Sequence, residues 1–307
     1  MIERVADGST PASAGAAGRA SCFGARAAAL LIALSAAGCT DGVLDPHGPI
    51  ASGERIILFN SLGIMLAIVI PTILATLAVA FWFRASNTRA RYMPEFHYSG
   101  RIEMMVWSIP AMTVFLLGSL CWVSSHDLDP PKPIASAAKP LTVQVVSLDW
   151  KWLFIYPEQG IAAVNTLTIP AATPINFELT SSGVMNSFFV PQLAGQIYTM
   201  GAMATRLEML ASEPGNYEGR SANFSGSGFA DMYFFVHAVP QEQFDAWTAK
   251  TKSGGPALDQ KSYEELAKPS KAVAPFTFAS VSPGLFGTLV GGMPPIGSTR
   301  AAARSGD

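Results

Sequence analysis

Cysteine is nearly absent. The 307 residues hold three, Cys22, Cys39 and Cys121, each in an apolar or N-terminal stretch and none in a CxxC pair. That excludes a disulfide framework and a zinc site built on paired thiolates. Charge is scarce as well: 14% of residues are Asp, Glu, Lys or Arg, and the net charge of −2 leaves no basic excess. A nucleic-acid surface needs such an excess, so that class of partner is excluded. Neither a phosphate-cradling GxxxxGK(S/T) nor a GxSxG elbow occurs. The Gly-rich SGSGF at residues 225–229 is not a nucleotide loop, because it does not open a helix after a strand. The C-terminal half has a single imidazole, His237, and no Cys, so no nucleophile–base pair can be assembled there. No internal repeat is evident.

What the chain has in abundance is apolar sequence. Half of its residues are hydrophobic, which points to a membrane. Residues 1–38 read as a removable targeting segment: Arg4, Arg19 and Arg26 precede AAALLIALSAA, a run too short to span a bilayer. It ends in AAGC, which resembles the lipobox of bacterial lipoproteins and would make Cys39 the acylated N-terminus of an exported segment 39–55. Ala36 stands where that motif usually has Leu, so ordinary cleavage near Ala37, with Cys39 unmodified, remains open. From Ile56 to Phe83 there is no charge, a run of about 42 Å as a helix; Met104 to Ser125 gives a second of about 33 Å. Pro71 should bend the first. Between them, loop 84–101 carries Arg84, Arg89, Arg91 and Arg101, which marks it as cytoplasmic and puts both flanking parts of the chain outside. Glu103 opens the second span, where an acid is favoured by the helix dipole.

Residues 126–140 are rich in proline and small residues and read as an extended linker. His126, like His47 and His97, is most simply a polar loop or interfacial residue. From Leu141 the period becomes two. About nine short runs, among them LTVQVVS, KWLFIY, PINFELT and MYFFVHA, are separated by turn residues, which predicts a β-sandwich or small barrel over 141–239. His237 reads as a structural strand residue. Residues 240–282 predict two short helices, with Phe244 and Trp247, then Tyr263 and Leu266, at i, i+3 spacing. The Gly-, Pro- and Ala-rich stretch 283–307 is expected to be disordered.

The two-span topology, the junction RYMPEFHYSGRIEMMVWSIP, the DWKW strand, the stretch NSFFVPQLAGQIYTM and the loop NYEGRSANFSGSGFADM together resemble subunit II of the haem-copper terminal oxidases, in its cytochrome bo-type ubiquinol oxidase branch. The resemblance covers residues 50–280. It implies a two-helix transmembrane hairpin followed by an all-β, cupredoxin-like Greek-key sandwich with short C-terminal helices. In the cytochrome c-oxidising branch the loop reads C-x-E-x-C-x-x-x-H-x-x-M, with a further His upstream. Those positions fall here on Ser221, Asn223, Ser225, Phe229 and Met232, with the upstream one on Asn186. Ser is a hard, weak donor and Phe none, and one thioether cannot hold a dinuclear copper centre. Met232 is then a core-facing strand residue.

The resemblance further implies that no cofactor resides in this chain, haems and copper lying in a partner subunit I, with subunits III and IV completing the complex. That complex, in a bacterial inner membrane, would oxidise ubiquinol, reduce oxygen to water and pump protons. The N-terminus and C-terminal domain would lie in the periplasm and the spans in membrane lipid. Glu103 falls where family members carry an acid at the mouth of a proton pathway, and Cys39 would be a lipid anchor. Trp150 and Trp152, which line an electron path in copper-bearing relatives, would serve as packing residues or as an aromatic belt. Two rival readings are an exported lipoprotein whose degenerate cupredoxin module binds another membrane partner, and a copper-containing cytochrome c oxidase subunit.

Overall fold

The structure, a computed structural model, describes residues 42–91 and 93–291. The targeting segment 1–38 and Cys39 lie outside the described residues. Two long helices come first, α1 (Pro49–Trp82) and α2 (Gly100–Asp127). Pro49 occupies the first turn of α1, where its missing N–H leaves no bond unmade. Pro71 and Pro110 lie inside the helices. Next to Pro71, the Thr72 hydroxyl bonds the Ile68 carbonyl at 2.8 Å. The shafts are apolar on every side and none of the described residues covers them: Leu77 is 61% exposed and Phe115 77%. Such helices are stable only with lipid or another subunit as their solvent.

Both helices begin ahead of the apolar runs at Ile56 and Met104: α1 starts at Pro49, with Ile50 packed on the sandwich core, and α2 at Gly100, with Glu103 in its first turn. The first turn of α1 docks on the β-domain. The His47 amide donates to the Gln192 carbonyl at 2.7 Å, and the His47 carbonyl accepts from the Ser212 amide at 2.8 Å. A Cβ on Gly48 would stand 2.6 Å from the carbonyl oxygens of both Leu193 and Leu210, so only glycine lets the chain pass this close. Beyond the end of α2, the Pro130 carbonyl accepts from the Glu208 amide at 2.8 Å. The hairpin is therefore tied to the sandwich at both of its adjacent ends.

The sandwich is built from β1 (Leu141–Leu148), β2 (Lys151–Tyr156), β3 (Ile161–Val164), β4 (Thr166–Pro170), β5 (Ile175–Ser181), β6 (Asn186–Val190), β7 (Ala194–Thr199), β8 (Thr205–Met209), β9 (Gly215–Ser221) and β10 (Tyr233–Val239). Then follow α3 (Gln241–Ser253), β11 (Ala257–Leu258), α4 (Gln260–Leu266), β12 (Phe276–Phe278), β13 (Ser280–Val281) and α5 (Leu285–Val290). One sheet has six strands in the order β12-β3-β2-β1-β5-β8, and the facing one has five in the order β4-β10-β9-β6-β7. The pairs β1–β5 and β4–β10 are parallel, so the chain crosses between sheets rather than meandering. This is the cupredoxin-like arrangement expected from the resemblance.

Aromatic rings fill the space between the sheets. Trp152, Phe154 and Phe177 of one sheet meet Phe188 and Phe234 of the other, and all five are fully buried. Phe188 and Phe234 stack at 5.2 Å, and Trp152 meets Phe188 edge-on at 5.4 Å. Burying each such ring contributes about 2–3 kcal/mol. A second apolar cluster covers the outer face of the six-stranded sheet, where Val146, Leu148, Leu153 and Ile155 pack against Tyr263 of α4 and Phe278 of β12. Because both faces are covered, β2 is buried at every position, which is why KWLFIY reads as a continuous run rather than an alternation.

The disorder expected over 283–307 is corrected at its start. Residues 285–290 form α5, and Leu285, Phe286 and Leu289 are buried in the second cluster. Average composition concealed a short amphipathic turn in LFGTLV whose apolar side completes the cover over the sheet. Residues 292–307 lie outside the described residues.

Candidate functional site

The sandwich end that carries Asn186, Ser221, Asn223, Ser225 and Met232 is a closed hydrogen-bonded corner. Asn186 opens β6 opposite Thr199 of β7, and Ser221 closes β9. The Ser221 hydroxyl donates to Asn186 Oδ1 at 3.2 Å, and Asn186 Nδ2 donates to the Val184 carbonyl at 3.2 Å and to Ser147 Oγ at 3.4 Å. Ser147 and Thr199 share a hydroxyl–hydroxyl bond of 2.9 Å. All four side chains are buried, with Asn186 2% exposed and Ser221 4%. Asn223 Nδ2 donates to the Met185 carbonyl at 3.1 Å, which ties the loop to the start of β6. A buried polar group is stable only when partnered, and this corner satisfies its own.

Ser225 and Met232 face each other across the loop, the Ser225 hydroxyl lying 3.9 Å from the Met232 sulfur. Met232 is 2% exposed and packs into the core from the residue just before β10 rather than from within the strand. Phe229 sits in a short 3-10 turn and packs at 5.5 Å on Phe224, whose ring is 75% exposed. Trp150 clamps the outside of the loop. Its indole N–H donates to the Ser225 carbonyl at 3.1 Å, and the ring lies flat where a Cβ on Gly228 would be. Trp150 thus packs against the loop while Trp152, two residues on, turns into the core.

Chemically the corner offers amides, hydroxyls and one thioether. Copper in either oxidation state selects thiolate and imidazole, so this donor set does not fit a copper centre. No cluster of three or more His, Cys, Asp or Glu that could hold a metal exists among the described residues. His237 lies on β10 with Nδ1 at 2.6 Å from Asn216 Oδ1, a cross-strand bond that gives it a structural role. Sequence reasoning missed Ser147 and Thr199. Their signal was a hydroxyl at a buried register position beside a position of interest.

The C-terminal segment is pinned by Lys151, which is 1% exposed. Its ammonium donates to the Lys268 carbonyl at 2.8 Å and to Ser270 Oγ at 2.6 Å. Burial holds its pKa below the usual lysine range. Asn165 adds a second tether, donating to the Val273 carbonyl at 2.8 Å while accepting from the Trp152 amide at 2.9 Å. At the far end of the hairpin Glu103 stands in the first turn of α2, exposed and with no side-chain partner among the described residues.

Residues 252–291, which include Tyr263, Phe276, Phe278 and Phe286, match the COX Aromatic Rich Motif family. Over 268 residues the chain is 50% identical to the ubiquinol oxidase subunit 2 of Acetobacter aceti, covering 87% of each chain. It is 49% identical to the cytochrome bo(3) ubiquinol oxidase subunit 2 of Pseudomonas aeruginosa over 84% of this chain and 78% of that one. The chain belongs to the ubiquinol oxidase subunit 2 family. Among solved structures, the periplasmic domain of subunit II of cytochrome oxidase (CoxB) of Bradyrhizobium japonicum is similar over 39% of this chain and 98% of that chain, at 19% identity and a TM-score of 0.37. Within the ubiquinol oxidase subunit 2 family this chain presents two apolar helices, a β-sandwich and an aromatic cover, with the polar corner at one end of the sandwich.

Proposed function

We propose that this chain is the second subunit of a membrane-bound quinol oxidase and supports assembly and stability without a redox centre of its own. The observation that carries the reading is the corner at Asn186, Ser221, Asn223, Ser225 and Phe229, closed by its own hydrogen bonds and offering neither thiolate nor imidazole, with the Met232 thioether as its one soft donor. A donor that is a water-soluble protein needs an electron port outside the membrane. A quinol dissolved in lipid can deliver electrons directly to haem in a membrane subunit, so the port is dispensable while the sandwich remains a packing element. In this reading subunit I holds the haems and copper and oxidises ubiquinol, and subunits III and IV complete the assembly. The arginine-rich loop 84–101 faces the cytoplasm and the sandwich the periplasm. Cys39 would anchor the N-terminus through acyl chains. Glu103 would take up protons at the hairpin end.

Purification of the full chain in mild detergent tests the reading. Co-purification with a haem-bearing subunit, together with ubiquinol-driven oxygen uptake, is the expected result. A chain that purifies without any haem protein would instead favour the lipoprotein reading, and stoichiometric copper in the chain itself would favour a cytochrome c oxidase subunit.

A further inference from the structure

At the end of the hairpin away from the sandwich, the last turn of α1, the first turn of α2 and their connecting loop enclose a cleft of about 760 Å3. Its walls are of two kinds. Val79 and Phe83 from α1, Ile102 from α2, and Met93 and Phe96 from the loop make an apolar floor. Arg84 and Arg91 bring two positive charges to the same space. Neither guanidinium has a carboxylate partner among the described residues; Arg84 lies over the Phe81 ring at 4.1 Å. The other polar lining group, Asn87, is already committed. Its Nδ2 donates to the Trp82 carbonyl at the end of α1, and its Oδ1 accepts from the Arg89 amide at 3.1 Å. Among the described lining residues, the two arginines are therefore the side chains with donors to spare.

Two unpaired guanidinium groups over an apolar floor, at the edge of two helices that cross a membrane, match one chemistry. A phosphodiester accepts bidentate hydrogen bonds from arginine. Acyl chains attached to that phosphodiester run down the apolar wall into the hydrocarbon layer. We propose that this cleft seats an anionic phospholipid, its phosphate on Arg84 and Arg91 and the first carbons of its chains against Val79, Phe83 and Ile102. A free phosphate would leave the apolar floor wet, and a zwitterionic headgroup would bring its own cation against the arginines. The proposal rests on the membrane-spanning reading of the hairpin and not on the oxidase reaction.

The test uses the full chain with the subunits that accompany it, reconstituted in phosphatidylcholine nanodiscs. The discs carry a trace of photoactivatable lipid with its diazirine close to the glycerol, bearing either a phosphatidylglycerol or a phosphatidylcholine headgroup. Co-elution of the chain with the discs establishes insertion. The phosphatidylglycerol probe is expected to label the peptides holding Val79–Phe83 and Ile102 in excess over the phosphatidylcholine probe, by about fivefold for each arginine engaged. Arg84→Gln with Arg91→Gln should bring the two probes level, while Arg89→Gln, on the same loop but outside the cleft, should leave the excess in place. Equal labelling of the unsubstituted protein by both headgroups overturns the proposal and needs no variant. So does an equal effect of Arg89→Gln, which would mean diffuse loop charge. Suppression by excess inorganic phosphate would mean a phosphate site, and cross-linking of the cleft to another subunit would mean a protein occupant; either result also overturns it.

Discussion

At the residue scale, Asn186 carries the most weight for its size. Its amide bridges Ser147 in the six-stranded sheet and Ser221 in the five-stranded one, and all three side chains are buried. Asn186→Ala leaves two buried hydroxyls without these partners and is expected to destabilise the chain by about 1–3 kcal/mol, read from denaturant unfolding of the full chain in detergent. An unchanged midpoint would mean that the corner is not held by this amide. Glu208 gives a test of different kind. It is 7% exposed on β8, and burial pushes its carboxyl above the ordinary glutamate range. The folded state then holds the proton more tightly than the unfolded one, so stability falls as pH rises from the ordinary glutamate value through the raised one. Glu208→Gln removes that slope. Melting temperatures of the two proteins should diverge in favour of the variant as pH rises above the ordinary glutamate value.

At the element scale, the helix–sandwich joint and the C-terminal cover decide how rigid the chain is. Gly48→Val drives a branched side chain into the carbonyls of Leu193 and Leu210 and is expected to cost on the order of 2 kcal/mol, with faster proteolysis between Leu44 and Ala51. Helix α5 gives a parallel case. Leu289→Ala should destabilise by about 2 kcal/mol if α5 seals the second cluster, and would be silent if this stretch were a loose tail. These two elements mark the boundary of what the sequence makes legible. The hairpin was readable because an uncharged run from Ile56 to Phe83 has one physical solution. The strands were readable from turn residues and period. Helix α5 was not, because six residues amid Gly and Pro carry too little periodicity to outweigh composition. The positions at Asn186 and Ser221 were legible only through resemblance, and their partners Ser147 and Thr199 only once register put them side by side. The docking of Gly48 lies beyond any local signal, because it depends on two carbonyls about 150 residues downstream.

At the scale of the whole molecule, the sandwich and the hairpin contrast, and they are joined by a short seam of backbone hydrogen bonds at His47 and Pro130. The sandwich is closed, and its polar corner at Asn186 and Ser221 is satisfied by its own hydrogen bonds. The hairpin is the reverse: among the described residues its shafts are uncovered, and Arg84, Arg91 and Glu103 at its far end have no ion-pair partner. Groups without a partner among the described residues are the candidates for contact with lipid, protons or another subunit. For Glu103 two roles predict different outcomes. As a first-turn acid it contributes only about 0.3–1 kcal/mol through the helix dipole, so Glu103→Gln would lower stability slightly and leave turnover unchanged. As a proton acceptor at the membrane edge it must ionise reversibly, which glutamine cannot do. The proton reading therefore predicts that Glu103→Gln assembles with full haem content yet slows ubiquinol-driven oxygen uptake several-fold, while Glu103→Asp restores most of the rate with a shifted pH profile. Equal turnover in the Gln variant at every pH would assign this carboxylate to the helix start alone.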